Sequence, residues 1–487
     1  MLKALNKGIL ISKAKIGSRL NRPALSSVAY TASSLISRGA SFLFTPFFTR
    51  LYTPTEFGAF SMFQSYLSIL FILGSLEICS GVIIKLLISE RENEDMLLLC
   101  ATRIMLISAS VTLGVFFALR YFLNENGFFG FSAALSVCAL CRCVIGIYVA
   151  SSKFHYGIRA IFAVNFAESL LPPIATLILY KLLKPKGIEL VSIRALVYAA
   201  VLLLIAMPIF IKIRRQAKLR ASSKASAELN RKILKSALPM LPYYLSMIVI
   251  AQGDKVLIGR LLGEGALAGY GIAYSLGSML TMLSGGILAV LMPWISRKLR
   301  DGNIGITKEI TKRLYLMSAL ITLIILCLAP ELLSILAPKS YGNTLLPVFP
   351  IALSAPTLLL QTLNVTANLK YGTGLGVIVS GVLPAMLFVA SAFFLAPHYG
   401  TLAIAVSLPF AYLFSFAISS WSLRQKMSNS LISANNYLQI TLLMLILSGI
   451  IYQANASFLI RIATCIILLV TLAFLLLKSK SFIKERA

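Results

Sequence analysis

Apolar blocks about 20 residues long recur along almost the whole chain, and the short connections between them hold most of the charge. Blocks of this length match the hydrocarbon thickness of a bilayer, so each predicts a membrane-crossing helix. Fourteen spans are expected, at 26–51, 56–80, 96–120, 127–151, 160–181, 190–211, 237–262, 266–292, 311–330, 345–368, 374–395, 399–422, 436–453 and 457–477. Strict alternation, the mark of an outer-membrane barrel, is weak throughout. The expected class is an all-α, polytopic membrane protein.

Polar positions inside the blocks fall at helical spacing. Thr31, Ser34, Arg38, Ser41, Thr45 and Thr49 recur every three or four residues in the first block and so share one helix face. Ser61, Ser65, Ser68 and Ser75 repeat the pattern in the second block and lead to Glu77. The fifth holds Asn165, Glu168 and Thr176 beside Pro172 and Pro173. Tyr270, Tyr274, Ser278 and Thr281 mark the eighth, and Thr357, Gln361, Asn364 and Asn368 the tenth. A single hydroxyl stripe is explained by close helix packing. Five stripes, together with Arg38, Arg142, Asp254 and Lys255 inside spans, point to a hydrated lumen.

One stretch, Leu238–Gly277, sets charge inside an apolar run and reads LPMLPYYLSMIVIAQGDKVLIGRLLGEGALAGYGIAYSLG. Gln252, Asp254 and Lys255 sit near the middle of an apolar run, and Arg260 lies toward its end. Each Asp, Lys or Arg at the centre of a span costs roughly 2.5–3.5 kcal/mol on insertion scales. Such groups normally face a bundle interior or a water-filled cavity, which makes transport the first expectation. Mutual neutralisation of Asp254 and Lys255 is the alternative.

Composition sharpens this picture. The chain is 58% hydrophobic and 13% charged over 487 residues, with mean hydropathy +0.88; soluble chains carry about 25% charged residues. The net charge of +29 is distributed as the positive-inside rule requires rather than as a nucleic-acid footprint. Lys212, Arg214, Arg215, Lys218, Arg220, Lys224, Arg231, Lys232 and Lys235 fill one connection, and Arg297, Lys298, Arg300, Lys308, Lys312 and Arg313 another. The tail carries Lys478, Lys480, Lys484 and Arg486. Both termini are therefore expected in the cytoplasm, with Lys181, Lys184 and Lys186 as the one discordant loop. Residues 1–22, basic at intervals, read as an interfacial segment on the inner face. Aspartate is confined to Asp95, Asp254 and Asp301, which leaves little carboxylate for catalysis or metal binding. Cys138, Cys141 and Cys143 cluster without a His or carboxylate beside them and read as helix packing. No G-x-x-x-x-G-K-[ST] phosphate loop is present. Catalytic residues, metal and cofactor are all expected to be none.

The chain also repeats itself. Arg50-Leu51 recurs 210 residues later as Arg260-Leu261, and Phe57-Gly58-Ala59-Phe60 as Leu267-Ala268-Gly269-Tyr270. Each copy opens a six-helix group, which gives parallel repeats at 23–211 and 236–423, the basic loop 212–235 between them, and two further helices within 436–478. Two like halves around a central cavity are the expected architecture, working by alternating access.

The paired stretches Phe47–Leu70, FFTRLYTPTEFGAFSMFQSYLSIL, and Leu238–Gly277 resemble the first and seventh helix regions of the polysaccharide transporters, or O-antigen flippases. These belong to the multidrug/oligosaccharidyl-lipid/polysaccharide exporter group. The R-L-x-x-P-x-E-F-G turn and the D-K-x-x-I-G segment carry the resemblance, and helix count, repeat and charge layout extend it over the whole chain. It implies a flippase moving an undecaprenyl-pyrophosphate-linked oligosaccharide from the cytoplasmic to the periplasmic leaflet of a bacterial inner membrane. Membrane lipids and the polysaccharide polymerase machinery would be its partners, with no nucleic acid and no enzymatic activity. The side chains suit such a cargo. Arg38, Arg50, Arg142, Lys255 and Arg260 are candidates for the diphosphate, and Gln252, Gln361, Asn364, Tyr270 and Tyr274 for the sugar. Glu77, Glu168 and Asp254 are candidates for proton or sodium coupling, with ion pairing to a neighbouring Arg or Lys as the equal alternative. A lipid II flippase would share the cationic cavity, a drug/cation antiporter would need an acidic one, and a polymerase or ligase would need catalytic groups on sizeable external loops.

Overall fold

The structure, a computed structural model, describes residues 33, 39 and 42–472, except 91–92, 123–128, 156, 184–187, 219–222, 301–303, 343, 372–373, 426–433 and 454–458. In chain order the helices are α1 (42–51), α2 (Pro54–Ser75), α3 (Ile83–Ser89), α4 (Glu94–Phe122), α5 (Phe129–Phe154), α6 (Ile158–Leu183), α7 (Ile188–Lys218), α8 (Ser223–Ala237) and α9 (Leu241–Leu261). There follow α10 (Glu264–Arg300), α11 (Ile304–Cys327), α12 (Ala329–Leu336), α13 (Leu345–Tyr371), α14 (Gly374–Tyr399), α15 (Thr401–Arg424), α16 (Ala434–Gln453) and α17 (Leu459–Leu472). Among the described residues 11 helices are long and apolar enough to cross a membrane, and Gln439–Gln453 and Leu459–Leu472 are shorter apolar helices. These account for the second to the fourteenth expected blocks. The first is described only at 33, 39 and 42–51, all helical.

The chain divides into two compact units, one of residues 1–44 and 59–256, the other of 45–58 and 257–487. In the first, α5 packs on α4, α6 and α7, and α6 on α7. Helix α8 lies against α4, burying Leu229 and Ile233 and leaving Arg231 and Lys235 exposed. In the second, α13 is the hub, packing on α10, α11 and α15, while α14 packs on α15 and α16 on α11. Leu359, Leu360 and Leu363 of α13 join Tyr315, Phe416 and Tyr437 in one buried cluster. Lipid is as apolar as leucine, so close packing and interhelical hydrogen bonds must hold such helices together. Asn368 Nδ2 donates to Ser419 O at 2.6 Å, and Ser415 Oγ to Ser380 O at 2.5 Å.

The T-P-T-E-F-G turn of the first repeat is built from local chemistry. Thr53 N–H donates to Glu56 Oε2 at 2.7 Å and Glu56 N–H to Thr53 Oγ1 at 3.4 Å, a reciprocal capping box, with Pro54 at the first helical position where no N–H is required. Phe57 meets the edge of Tyr341 at 5.8 Å, and Tyr341 Oη donates to Tyr52 O at 2.9 Å. Residue 58 must be glycine because a Cβ there would overlap the Glu264 carbonyl. In the second repeat Gly263 takes φ +88°, ending α9 and opening α10.

The second expected span does not run unbroken to residue 80. Leu76 and Glu77 adopt φ of 48° and 55°, followed by a π-turn, Ile78–Val82. The Leu76 N–H closes a tighter turn onto Leu73 O at 3.4 Å, and hydroxyls take up neighbouring groups. Ser108 Oγ donates to Leu73 O at 3.3 Å, the carbonyl that the Glu77 N–H would take in a continuous helix, and that N–H donates instead to Ser75 Oγ at 3.3 Å.

Candidate functional site

Two polar clusters lie inside the first unit, both at the depth of transmembrane helices. Arg142 is near the middle of the 26-residue α5 and Glu168 near the middle of the 26-residue α6. Their Nε and Oε1 atoms are 3.3 Å apart, and the side chains are 21% and 25% exposed. The distance pairs the charges, yet the buried Nε–H is not aimed along a hydrogen bond. Arg142 Nη2 donates to Tyr198 Oη of α7 at 2.6 Å, and the guanidinium carbon lies 5.7 Å from the centre of the Tyr198 ring. One turn before Glu168, Asn165 Nδ2 donates to Ser33 Oγ at 3.1 Å. One turn after it, Pro172 and Pro173 lack the N–H groups that would bond the carbonyls of Glu168 and Ser169.

The second cluster sits on α9. Asp254 is fully buried and Lys255 is 8% exposed. Lys255 Nζ donates to Gln252 Oε1 at 2.9 Å, and Ser65 Oγ of α2 donates to the same oxygen at 3.4 Å. Asp254 Oδ1 accepts from the Lys255 backbone N–H at 2.8 Å. Lys255 thus leans on an amide within its own helix, and Gln252 links that helix to the serine stripe of α2.

The remaining candidates are dispersed. Arg38 lies outside the described residues. Glu77 occupies the break after α2, half-buried. In the second unit, Arg50 is exposed and its Nη1 donates to Pro46 O at 2.8 Å and Ile335 O at 3.2 Å, while Thr49 Oγ1 donates to Leu336 O at 2.6 Å. Both residues satisfy carbonyls at the end of α12. Arg260 is exposed in the last turn of α9. The Tyr270 and Tyr274 rings lie 6.2 Å apart on α10, Tyr270 almost wholly buried. Gln361 and Asn364 are buried at 1% and 2%, and Asn364 Nδ2 donates to Ser420 Oγ of α15 at 2.5 Å. That stripe of α13 is thereby engaged in helix packing.

Three participants escaped the sequence reading. Tyr198 is an ordinary apolar-block tyrosine until its partner is known. Arg194 lies 3.7 Å from the centre of the Phe60 ring, and its only signal was an arginine just inside the sixth block. Arg461 meets Glu331 at 2.7 Å, again flagged only by a cation near the edge of a block. Cys138, Cys141 and Cys143 are buried free thiols, and no group of His, Cys, Asp and Glu among the described residues has a metal-binding arrangement.

Helix number and length, with charged groups held at mid-span, define a multi-pass α-helical membrane protein. Its architecture is similar to that of the lipid II flippase MurJ in an inward closed conformation, with TM-score 0.60 and 15% identity over 92% of this chain and 99% of that one. It is similar also to a MATE transporter in complex with MaD5 (0.59, 13%, 88% and 99%) and to a mutant of the Vibrio cholerae MATE transporter VcmN (0.55, 14%, 84% and 98%). No curated protein matches in sequence. Residues 25–299, more than half of the chain, match the polysaccharide biosynthesis protein family, and the chain belongs to that family.

Proposed function

We propose that this protein is a flippase for a lipid-linked saccharide, moving an undecaprenyl-diphosphate-linked O-antigen or other repeat unit from the cytoplasmic to the periplasmic leaflet by alternating access. Family membership supports the saccharide. The observation that carries the anionic carrier is Arg142, a guanidinium at mid-span with a buried N–H that lacks a hydrogen-bond partner. An anionic diphosphate loses its hydration on entering hydrocarbon, and arginine replaces it with charge-assisted, bidentate hydrogen bonds. Lys255 and Gln252 add a second cation and an amide on α9, with Arg38, Arg50, Arg260, Gln361, Asn364, Tyr270 and Tyr274 as further contacts. Glu77, Glu168 and Asp254 are the carboxylates available for ion coupling. The expected setting is a bacterial inner membrane with both termini cytoplasmic, handing product to a polymerase.

The test is reconstitution in proteoliposomes with a fluorescent polyprenyl diphospho-saccharide, its leaflet read by a membrane-impermeant quencher. The wild type moves the lipid, while Arg142→Glu and Lys255→Glu insert normally and fall to the protein-free background. Translocation at the wild-type rate in both variants overturns the assignment, as does a wild type that leaves the diphosphate lipid in place and extrudes an organic cation.

A further inference from the structure

We propose that Glu168 is a displaceable counter-ion: when a diphosphate reaches Arg142, the guanidinium leaves Glu168, and the freed carboxylate takes up one proton. The proposal rests on the flippase reading of the same site and adds its coupling chemistry.

The geometry supplies each element. Among the described residues Glu168 pairs with Arg142 of α5, and Tyr198 of α7 and Cys138 of α5 are titratable groups close to it. The contact is a single 3.3 Å approach without hydrogen-bond alignment, a loose form of an interaction that arginine and carboxylate commonly make with two parallel bonds. Tyr198 holds one guanidinium nitrogen in place, so the Nε edge can exchange one oxyanion for another without losing its orientation. A diphosphate offers more acceptor oxygens than the carboxylate and outcompetes it there.

The fate of Glu168 follows from its position. A carboxylate stripped of its cation near mid-bilayer is strongly disfavoured against the neutral acid. Its side chain is 25% exposed, and under the alternating-access reading the cavity that admits the lipid also admits the water that supplies the proton. Pro172 and Pro173 leave the carbonyls of Glu168 and Ser169 without helical donors. Those acceptors are of use to a protonated carboxyl, which has an O–H to give, and of none to a carboxylate. The balance closes: one proton moves from solvent to Glu168, Arg142 stays protonated, and diphosphate replaces carboxylate as its counter-ion. Release of the diphosphate reverses each step, so a proton travels with the anion's occupancy of the site.

The experiment uses the full chain in nanodiscs and polyprenyl diphospho-N-acetylglucosamine, whose diphosphate is esterified at both ends and carries no proton that titrates near neutrality. Binding is measured from pH 6 to 8.5, and proton uptake with an indicator dye in weak buffer. The wild type should take up about one proton per lipid bound, and its Kd should tighten by about tenfold for each unit of falling pH while Glu168 exchanges states. Glu168→Gln should bind with no uptake and a flat pH profile, at least as tightly as the wild type at the high end of the range. Binding by the wild type without proton uptake, or uptake preserved in Glu168→Gln, overturns the exchange and leaves the flippase reading standing. Loss of binding in a folded, monodisperse Glu168→Gln also overturns it, because the carboxylate would then be needed for the bound state. Failure of the wild type to bind the diphosphate lipid removes the flippase reading, and the exchange with it. The wild-type proton count decides even if the variant does not fold.

Discussion

Glu331 at the start of α12 and Arg461 at the start of α17 form a two-oxygen ion pair in the second unit, and the cost of breaking it depends on which partner is removed. Arg461 Nη1 donates to Glu331 Oε2 at 2.8 Å and to Cys327 O at 3.2 Å, while Nη2 lies 2.7 Å from Oε1. The arginine side chain is 9% exposed and the glutamate 39%. Breaking a fully buried pair costs about 3–5 kcal/mol, and an exposed pair is worth about 0.2–1 kcal/mol. Glu331→Gln leaves the buried cation uncompensated, so with water screening discounted it should cost about 2 kcal/mol. Arg461→Met leaves Glu331 to water and should cost about 1 kcal/mol, mostly the lost bond to the Cys327 carbonyl. The double variant should resemble Arg461→Met alone, because no buried charge remains. For a chain of this size 1 kcal/mol shifts the transition by about 2 °C, so the expected losses are about 4, 2 and 2 °C. The assay is the apparent melting temperature of detergent-solubilised protein, read by size-exclusion chromatography at one fixed heating rate because such unfolding is commonly irreversible. Equal losses in the two single variants that simply add in the double would refute this reasoning.

Two further outcomes follow from other parts of the molecule. Gly58→Ala should lower the same melting temperature by about 2–6 °C, since the new Cβ would overlap the Glu264 carbonyl and overpacking against backbone costs about 1–3 kcal/mol; an unchanged transition would show that the turn is free to shift. His155, in the link between α5 and α6, lies 3.2 Å from Glu94 Oε2, and the hydrogen bond it donates to that carboxylate raises its pKa against the opposing effect of burial. A raised folded pKa contributes stability that is complete below about pH 6.5 and is lost as pH rises through the folded value. His155→Ala should therefore melt below the wild type at pH 6 and match it at pH 9, and a difference that does not depend on pH would exclude the charged pair.

The helices were legible because bilayer thickness dictates block length, and every block from the second to the fourteenth falls on a helix. What the blocks concealed were features set by partners distant in sequence. At the break at Leu76–Glu77 the Leu73 carbonyl is taken by Ser108, 35 residues away, and Gly74 and Gly81 beside it did not by themselves single out the spot. The R-L-x-x-P-x-E-F-G turn was legible as a motif but not in its role. Thr53, Pro54 and Glu56 cap a helix, Phe57 and Gly58 fit against Tyr341 and Glu264, and Arg50 satisfies the Ile335 carbonyl of α12. A motif can therefore be specific to a family because a turn demands it. Arg142 and Glu168 were both legible as intramembrane charges, whereas their pairing was not, since α5 and α6 could have met on other faces.

Periodic polar stripes alone do not separate structural from functional groups, and what each group meets in the fold adds to the pattern. On α13 the amide donors are engaged within the bundle: Asn364 Nδ2 meets Ser420, and Asn368 Nδ2 the Ser419 carbonyl, although Asn368 Oδ1 is buried without a hydrogen bond. Arg461 meets both oxygens of one carboxylate and a backbone carbonyl. Arg142 has fewer acceptors around it. A guanidinium carries five N–H donors, and the described partners are one tyrosine oxygen and one misaligned carboxylate oxygen. Its Nε–H is buried as well as misaligned, a local deficit of acceptor oxygen. A group rich in oxyanions and otherwise insoluble in hydrocarbon supplies what is missing, which is why the same helix face that is costly to keep in the membrane suits an anionic lipid carrier.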